Sequence, residues 1–183
     1  MARKLWGDTN VSHFGYYKSG EKALVMNIST GTGTLVHEMF HALVEPDFPD
    51  IPTWFNEGVA SLYECCYVEK ERLVGGINWR FRRLKPALDA NDLVPLSDLV
   101  ATSTREFYGP GSDLHYAEAR YFCMYLQKLG VLERFYQRYR DGFKTDRTGV
   151  RFVRELTGQS MADLQRRWVA WVQTLRYDGP TFD

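Results

Sequence analysis

Three prolines in the segment PDFPDIP, residues 46–52, set the tightest limit on how this 183-residue chain can fold. A proline has a fixed φ and no backbone N–H, so it ends a helix and stiffens the segment that follows. The residues before Pro46 and after Pro52 both show the apolar spacing of a helix. The sequence therefore predicts two helices joined by a short, stiff connection, which allows the second helix to fold back against the first.

The first of these helices is predicted over TLVHEMFHALVE, residues 34–45. Threonines in the preceding STGTGT offer helix N-caps. A broad apolar face follows at helical spacing, made of Leu35, Val36, Met39, Phe40, Leu43 and Val44. His37 and His41 lie one turn apart on the same side of such a helix, so their two imidazoles can point at one ion.

Glu38 follows the first histidine and lies about 100° around the helix from it. From there its carboxylate can reach a water bound to the ion, although it cannot act as an equivalent ligand. This is the arrangement of the HExxH pattern, in which two histidines bind zinc and the glutamate is the general base. A pattern with three fixed positions also recurs by chance, and the alternative is a buried helix with two core histidines. A catalytic zinc needs a third protein ligand and an open position.

Glu57, in WFNEGVASLYE (residues 54–64), is the candidate for that third ligand. If the second helix folds back, Glu57 completes a His, His, Glu set and leaves a fourth position for water. Ser61 lies one turn later on the same face, where it can hydrogen-bond a ligand. The alternative is a solvated helix glutamate, which leaves the small residues Gly58 and Ala60 unexplained. Small residues allow two helices to approach closely across a metal.

HEMFH followed by WFNEGVASLYE resembles the gluzincin zinc metallopeptidases, which include the aminopeptidase N-type enzymes and smaller peptidase MA-like domains. The resemblance implies a zincin-like catalytic body with one zinc ion held by His37, His41 and Glu57. It implies that Glu38 takes a proton from the zinc-activated water and passes it to the leaving amine. HYAEARYFCMYLQKLG is similar to the family's segment that opens on an oxyanion-binding tyrosine, which gives Tyr116 that role.

The same resemblance implies that the substrate is a peptide or a protein. In related folds the strand before the zinc helix, here ALVMNIS, is the edge with which an extended peptide pairs. The chain lacks the GxMEN segment that anchors a free N-terminus in aminopeptidase N-type enzymes, so aminopeptidase activity is not implied. Tyr108, in a glycine-rich loop, is the main competitor of Tyr116 for the oxyanion role.

The remaining pattern predicts an α+β fold in a single domain over residues 1–183. Residues 1–31 are β-rich, with strand-like runs at Phe14–Tyr17 and Ala23–Ile28 around the turn-rich KSGE. Residues 32–183 are mainly helical, with the second helix predicted over TWFNEGVASLYECCYVEK, residues 53–70. REFYGPGSD is predicted to be a loop. Further helices are predicted over NWRFRRLKPALDA, VPLSDLVATS, HYAEARYFCMYLQKLG, VLERFYQRYRDG, GVRFVRELTG and SMADLQRRWVAWVQTL.

Charge and cysteine content restrict the partners and the compartment. Lysine plus arginine equals aspartate plus glutamate at 23 each, which predicts no general attraction to nucleic acid. No apolar stretch approaches membrane-spanning length and no secretory signal is visible. The 3 cysteines show no CxxC spacing, which favours a reducing compartment such as the cytoplasm. The adjacent Cys65 and Cys66 are interpreted as packing residues on different sides of the second helix.

Two other classes of function stay open on the sequence alone. A zinc-bearing binding or scaffold domain of the same fold would contain the site without turnover, although Glu38 has little structural reason to be there. A metal-free helical interaction module would hold no stoichiometric zinc. The motifs do not specify the bond preference, the endo- or exopeptidase mode, the regulation or the oligomeric state.

Overall fold

The structure is a computed structural model that describes residues 15–26 and 32–179. Within these ranges the fold is α+β and mainly helical, which confirms the predicted fold class. In this described part of the chain, four strands form two antiparallel pairs and are accompanied by nine α-helices. The bounds are β1 Gly15–Lys18, β2 Ala23–Met26, α1 Thr32–Val44, α2 Thr53–Tyr63, β3 Cys66–Glu69, β4 Arg72–Gly75, α3 Phe81–Asp89, α4 Leu96–Leu99, α5 Thr104–Phe107, α6 Ser112–Lys128, α7 Leu132–Gly142, α8 Val150–Thr157 and α9 Met161–Val172.

The hairpin of β1 and β2 lies against α1. Tyr17 faces Leu24 in its register, and a single 3-10 turn, Ser19–Glu21, connects the strands where KSGE predicted a turn. The predicted strands agree with β1 and β2 over the described residues. Phe14, and residues 27–28 of the predicted second strand, lie outside the described residues.

Helices α1 and α2 pack against each other on either side of the proline connection, as predicted. The Phe48 N–H donates to the carbonyl of Val44 at 2.7 Å and closes the end of α1. Pro52 precedes α2, and its carbonyl accepts the first N–H bonds of that helix. The apolar face of α1 is narrower than predicted, because Leu43 is 69 % exposed and Met39 is 43 % exposed.

The predicted extent of the second helix is wrong, since α2 ends at Tyr63 and the chain then forms the β3–β4 hairpin. Lys70 and Glu71 have positive φ values of 48° and 62° in the turn, a conformation that ends any helix. The β-prone residues that follow α2 therefore pair across this turn. Cys65 is exposed and Cys66 begins β3, so their interpretation as helix packing residues is wrong as well.

The predicted loop REFYGPGSD contains the end of one helix and the start of another, so that prediction is partly wrong. Ser103 and Glu106 form a reciprocal capping box that starts α5. Phe107, at the end of α5, is fully buried in the core. Tyr108 and the glycines after it make the turn into α6, where the loop prediction is correct.

Helix α6 is the centre of the helical part and packs most extensively against α2. Their approach is close at Gly58, where an added Cβ would lie 2.8 Å from Cys123 Sγ and 2.9 Å from the Ala119 carbonyl oxygen. Beyond this contact lies an aromatic core formed by Trp54, Phe55, Phe122, Phe135 and Tyr139. The contact at Gly58 fixes the position of the neighbouring Glu57.

Within residues 15–26 and 32–179, no helix combines the length and the apolar character needed to cross a membrane. The three cysteines are free thiols.

We predict that Gly58→Val destabilises the protein by about 1–3 kcal/mol, because the new side chain overlaps the backbone of α6. The measurement is the free energy of unfolding from urea denaturation. Ala170→Val, at an exposed position of α9, is the control because it changes helix propensity without a packing clash. Equal effects of the two substitutions would show that the close approach at Gly58 does not limit stability.

Candidate metal centre

His37 and His41 on α1 and Glu57 on α2 meet in one buried cluster, as the sequence predicted. One ligand atom from each of the three residues lies within 4.8 Å of the other two. The imidazole ring centres are 4.7 Å apart, and the rings are nearly perpendicular at 78°. His37 is 9 % exposed and Glu57 is 5 % exposed, so the cluster is shielded from bulk water. This group could hold a metal ion.

The donor atoms fit one small cation. The Nε2 atom of His37 is 3.2 Å from one oxygen of Glu57, and the Nε2 atom of His41 is 3.8 Å from the other. Ligand atoms that each lie about 2 Å from a tetrahedral ion are themselves separated by roughly 3.3 Å. Both imidazoles therefore present the same nitrogen to the same carboxylate at a spacing close to that of a metal site.

The other nitrogen of each imidazole is held by a separate acceptor. His37 Nδ1 lies 2.8 Å from Glu64 Oε1, and His41 Nδ1 lies 3.0 Å from Asn56 Oδ1. Each acceptor favours the tautomer with hydrogen on Nδ1, which leaves the Nε2 lone pair directed at the cluster. Metal-binding histidines are usually oriented by a hydrogen bond of this kind.

Sequence reasoning assigned this supporting role to Ser61, and the structure gives it to Asn56 and Glu64 instead. The Ser61 hydroxyl is buried and has no hydrogen-bond partner among the described residues. Glu64 comes two turns after Glu57 and therefore lies on the same side of α2. This spacing alone could have identified Glu64 as a residue near the cluster. Asn56 is adjacent to Glu57 and turns toward His41 rather than toward His37.

Arg80 keeps Glu64 ionised. Its guanidinium donates to both oxygens of Glu64, at 2.8 Å and 3.3 Å. Burial opposes the charge, but the hydrogen bond from His37 and the charge of Arg80 lower the pKa of Glu64 to about 2. This pair was not predicted, because Arg80 lies beyond the β3–β4 hairpin and the hairpin itself was not predicted.

The surroundings of His37 favour positive charge. Burial lowers the pKa of His37, but hydrogen bonds to Glu57 and Glu64, together with their charges, outweigh burial and raise that pKa to about 9. Burial acts against the charge of Glu57 too, yet its hydrogen bond to His37 and the charges of both histidines lower the pKa of Glu57. A metal cation between these three side chains offsets the same negative charge as the proton on His37 does.

Glu38 lies beside the cluster and makes contact with β1. Its carboxylate accepts a hydrogen bond from the backbone N–H of Tyr17 and is partly buried. Burial raises the pKa of Glu38, while the nearby His37 and His41 act in the opposite direction. The structure therefore brings Glu38 close to the predicted ligands without making it one of them.

Both candidate tyrosines reach the cluster. Tyr108 follows the last residue of α5, and Tyr116 lies in the second turn of α6. The Tyr108 hydroxyl donates to Glu57 Oε1 at 2.6 Å. Tyr116 also hydrogen-bonds Glu57, and the two phenol rings lie 6.2 Å apart. Burial and the charge of Glu57 raise the pKa of both phenols, so both stay protonated and able to donate. His115 is outside this group, since its ring bonds the Phe107 carbonyl oxygen.

Comparison with protein-family models, with curated proteins and with solved structures found no match to this chain. The cluster itself is therefore the basis for a functional proposal.

We predict that His41→Ala abolishes stoichiometric metal binding, because two side chains cannot hold the ion at the affinity of three. The measurement is metal content by mass spectrometry after dialysis against trace zinc. His115→Ala is the control, since His115 lies near the cluster without contributing to it. Full metal content in His41→Ala would exclude this cluster as the site.

We predict that Glu64→Gln weakens metal binding by about 10- to 100-fold, because His37 loses its charged orienting partner. A competition titration with a zinc chelator measures the dissociation constant. Glu69→Gln removes an exposed carboxylate on β3 and serves as the control. Equal affinities in the two variants would show that Glu64 does not orient His37 for the metal.

Proposed function

We propose that this protein is a zinc-dependent metallopeptidase of the gluzincin type, which hydrolyses peptide bonds in a peptide or protein substrate. The observation that carries the proposal is the buried His37, His41 and Glu57 cluster. The half-buried Glu38 and two hydroxyl donors beside this cluster add the other groups that peptide hydrolysis needs.

Zinc is the metal that this donor set suits best. Two imidazoles and one carboxylate form a common catalytic zinc set, which leaves a fourth position open. Calcium and magnesium prefer oxygen ligands and higher coordination numbers, so two histidines argue against them. When bound, zinc lowers the pKa of a coordinated water and polarises a carbonyl group.

Glu38 is proposed as the general base. It follows His37 on α1, and the Tyr17 N–H holds its carboxylate toward the hairpin side of the cluster. From there it accepts a proton from the attacking water and later donates it to the leaving amine. Its partial burial supports this role, since a proton acceptor screened from bulk water is more effective than a solvated one.

The edge of β1 that lies away from β2 is the proposed position of the substrate backbone. Among the described residues β2 is the only strand that pairs with β1, and an extended peptide can join a sheet along such an edge strand. The Tyr17 N–H reaches Glu38, which directs that edge toward the cluster. The sequence prediction was different, because it placed the peptide along the strand in ALVMNIS. In the described part of the chain that strand is β2.

Tyr116 is proposed as the donor to the tetrahedral oxyanion, with Tyr108 beside it. Tyr116 is held on α6, where the Arg80 guanidinium lies 4.9 Å from the centre of its ring. Tyr108 is more exposed and lies at the end of the short helix α5. A donor on a long packed helix keeps its position better than one in a turn, which supports Tyr116 for this role.

We predict that Glu38→Gln retains stoichiometric zinc and lowers kcat by about 10²- to 10⁴-fold, because the amide cannot accept the water's proton. The measurement is cleavage of a diverse peptide library by zinc-loaded protein, with metal content determined in parallel. Glu133→Gln, at an exposed site on α7, is the control. Cleavage by Glu38→Gln at the parent rate would rule out this base, and a parent protein without turnover would indicate a zinc-bearing scaffold.

We predict that Tyr116→Phe lowers kcat by about 10²- to 10³-fold with little change in KM, because the lost hydroxyl acts mainly on the transition state. Tyr108→Phe is the matched variant, since its hydroxyl also hydrogen-bonds Glu57. A larger loss of kcat in Tyr108→Phe than in Tyr116→Phe would reverse the assignment.

A further inference from the structure

A cavity of about 180 Å³ lies beside His41, on the face of α1 that continues away from the metal cluster. Its apolar lining residues include Val44, Phe48, Pro49 and Ile51. Glu45 is its one acidic lining residue, and Tyr17 covers it from β1. The proposed hydrolysis does not use this cavity.

Three residues join the cavity to the proposed reaction centre, and one of them is Asn56, which lines the cavity and holds His41 Nδ1. His41 lines the cavity, and its Nε2 atom belongs to the metal cluster. Tyr17 lines the cavity, while its backbone N–H bonds Glu38. A group in the cavity is therefore beside His41, a metal ligand in the proposal, and beside Tyr17, whose N–H bonds the proposed base. We take this as the position of a side chain that flanks the bond that is cut.

The floor of the cavity is rigid. Phe48 is 3 % exposed, and its ring packs edge-on against Tyr136, Tyr139 and Phe143. Asp47 beside it is fixed by Arg140 and by the Tyr136 hydroxyl. A pocket with fixed walls selects its occupant by shape, because it does not have to reorganise around the ligand.

Size and charge define the occupant. An apolar cavity of about 150 Å³ is large enough to bind benzene. A cavity of about 180 Å³ therefore suits a side chain of the size of leucine or phenylalanine. The Glu45 carboxylate accepts a hydrogen bond from the Tyr17 hydroxyl, and no lysine or arginine lines the cavity, so an acidic side chain is repelled there.

We propose that this cavity is a specificity pocket that accepts a leucine- or phenylalanine-sized apolar side chain of the substrate and rejects aspartate and glutamate. The proposal rests on the metallopeptidase function, since it places the side chain beside the bond that this site cuts. It goes further by naming the class of residue that the enzyme selects.

The test uses the zinc-loaded protein and small hydroxamates, whose zinc-binding group anchors at the metal and whose single side chain varies. In one series the variable side chain lies on one side of the hydroxamate group, and in the other series it lies on the opposite side. Each series contains compounds with the side chain of phenylalanine, leucine, glycine or glutamate. Calorimetry gives each dissociation constant without any need for turnover. Ile51→Trp fills the cavity, Glu45→Gln removes its charge, and Leu156→Trp on α8 is the control for adding an indole to a partly buried site.

In at least one series the parent protein is expected to bind the phenylalanine compound at least about 10-fold more tightly than the glycine compound. Ile51→Trp should reduce that ratio of dissociation constants to below about 3-fold, whereas Leu156→Trp should leave it unchanged. Glu45→Gln should strengthen binding of the glutamate compound by about 3- to 10-fold. Equal binding of phenylalanine and glycine compounds in both series overturns the pocket, as does an unchanged ratio in Ile51→Trp or a zinc-loaded protein that binds no hydroxamate. Side-chain selectivity in a protein that cleaves no peptide would support the pocket and refute the proposed peptidase function.

Discussion

The position of the Glu57 carboxylate between two imidazoles is the constraint on which the rest of the site depends. A buried carboxylate is costly unless it is paired and hydrogen-bonded, and here His37 and Tyr108 supply both. Its position follows from packing at two places. The proline connection returns α2 to α1, and Gly58 allows the next turn of α2 to lie against α6. Neither the candidate metal ligands nor the tyrosines would meet if either contact opened.

Charge is arranged around the cluster in successive layers. Glu57 faces the Nε2 atoms of the histidines, Glu64 holds the far side of His37, and Arg80 neutralises Glu64. The result is a pair of imidazoles oriented by acceptors and surrounded by negative charge, in which a cation is favoured over an empty space. Arg80 also lies over the Tyr116 ring, so one guanidinium links the metal side of the site to the proposed oxyanion donor.

The sequence was informative where one element carried the signal by itself. Helical spacing was sufficient to place His37 and His41 on one face of α1, and the prolines were sufficient to bring Glu57 to them. It failed where the outcome depended on contacts distant in the chain. CYVEKERLVG is compatible with helix or strand, and the docking of Gly75 and Leu73 on Gln127 of α6 favours the hairpin. The Glu64–Arg80 pair follows from that hairpin and could not be predicted without it.

Zinc K-edge X-ray absorption on protein loaded with zinc and then dialysed tests the central claim most directly. The account predicts one zinc per chain, with the multiple-scattering signature of two imidazoles and nitrogen or oxygen ligands at about 2.0–2.2 Å. Zinc bound in less than stoichiometric amount would contradict the account. So would sulfur ligands at about 2.3 Å, which would place the metal on the free thiols instead of on His37, His41 and Glu57.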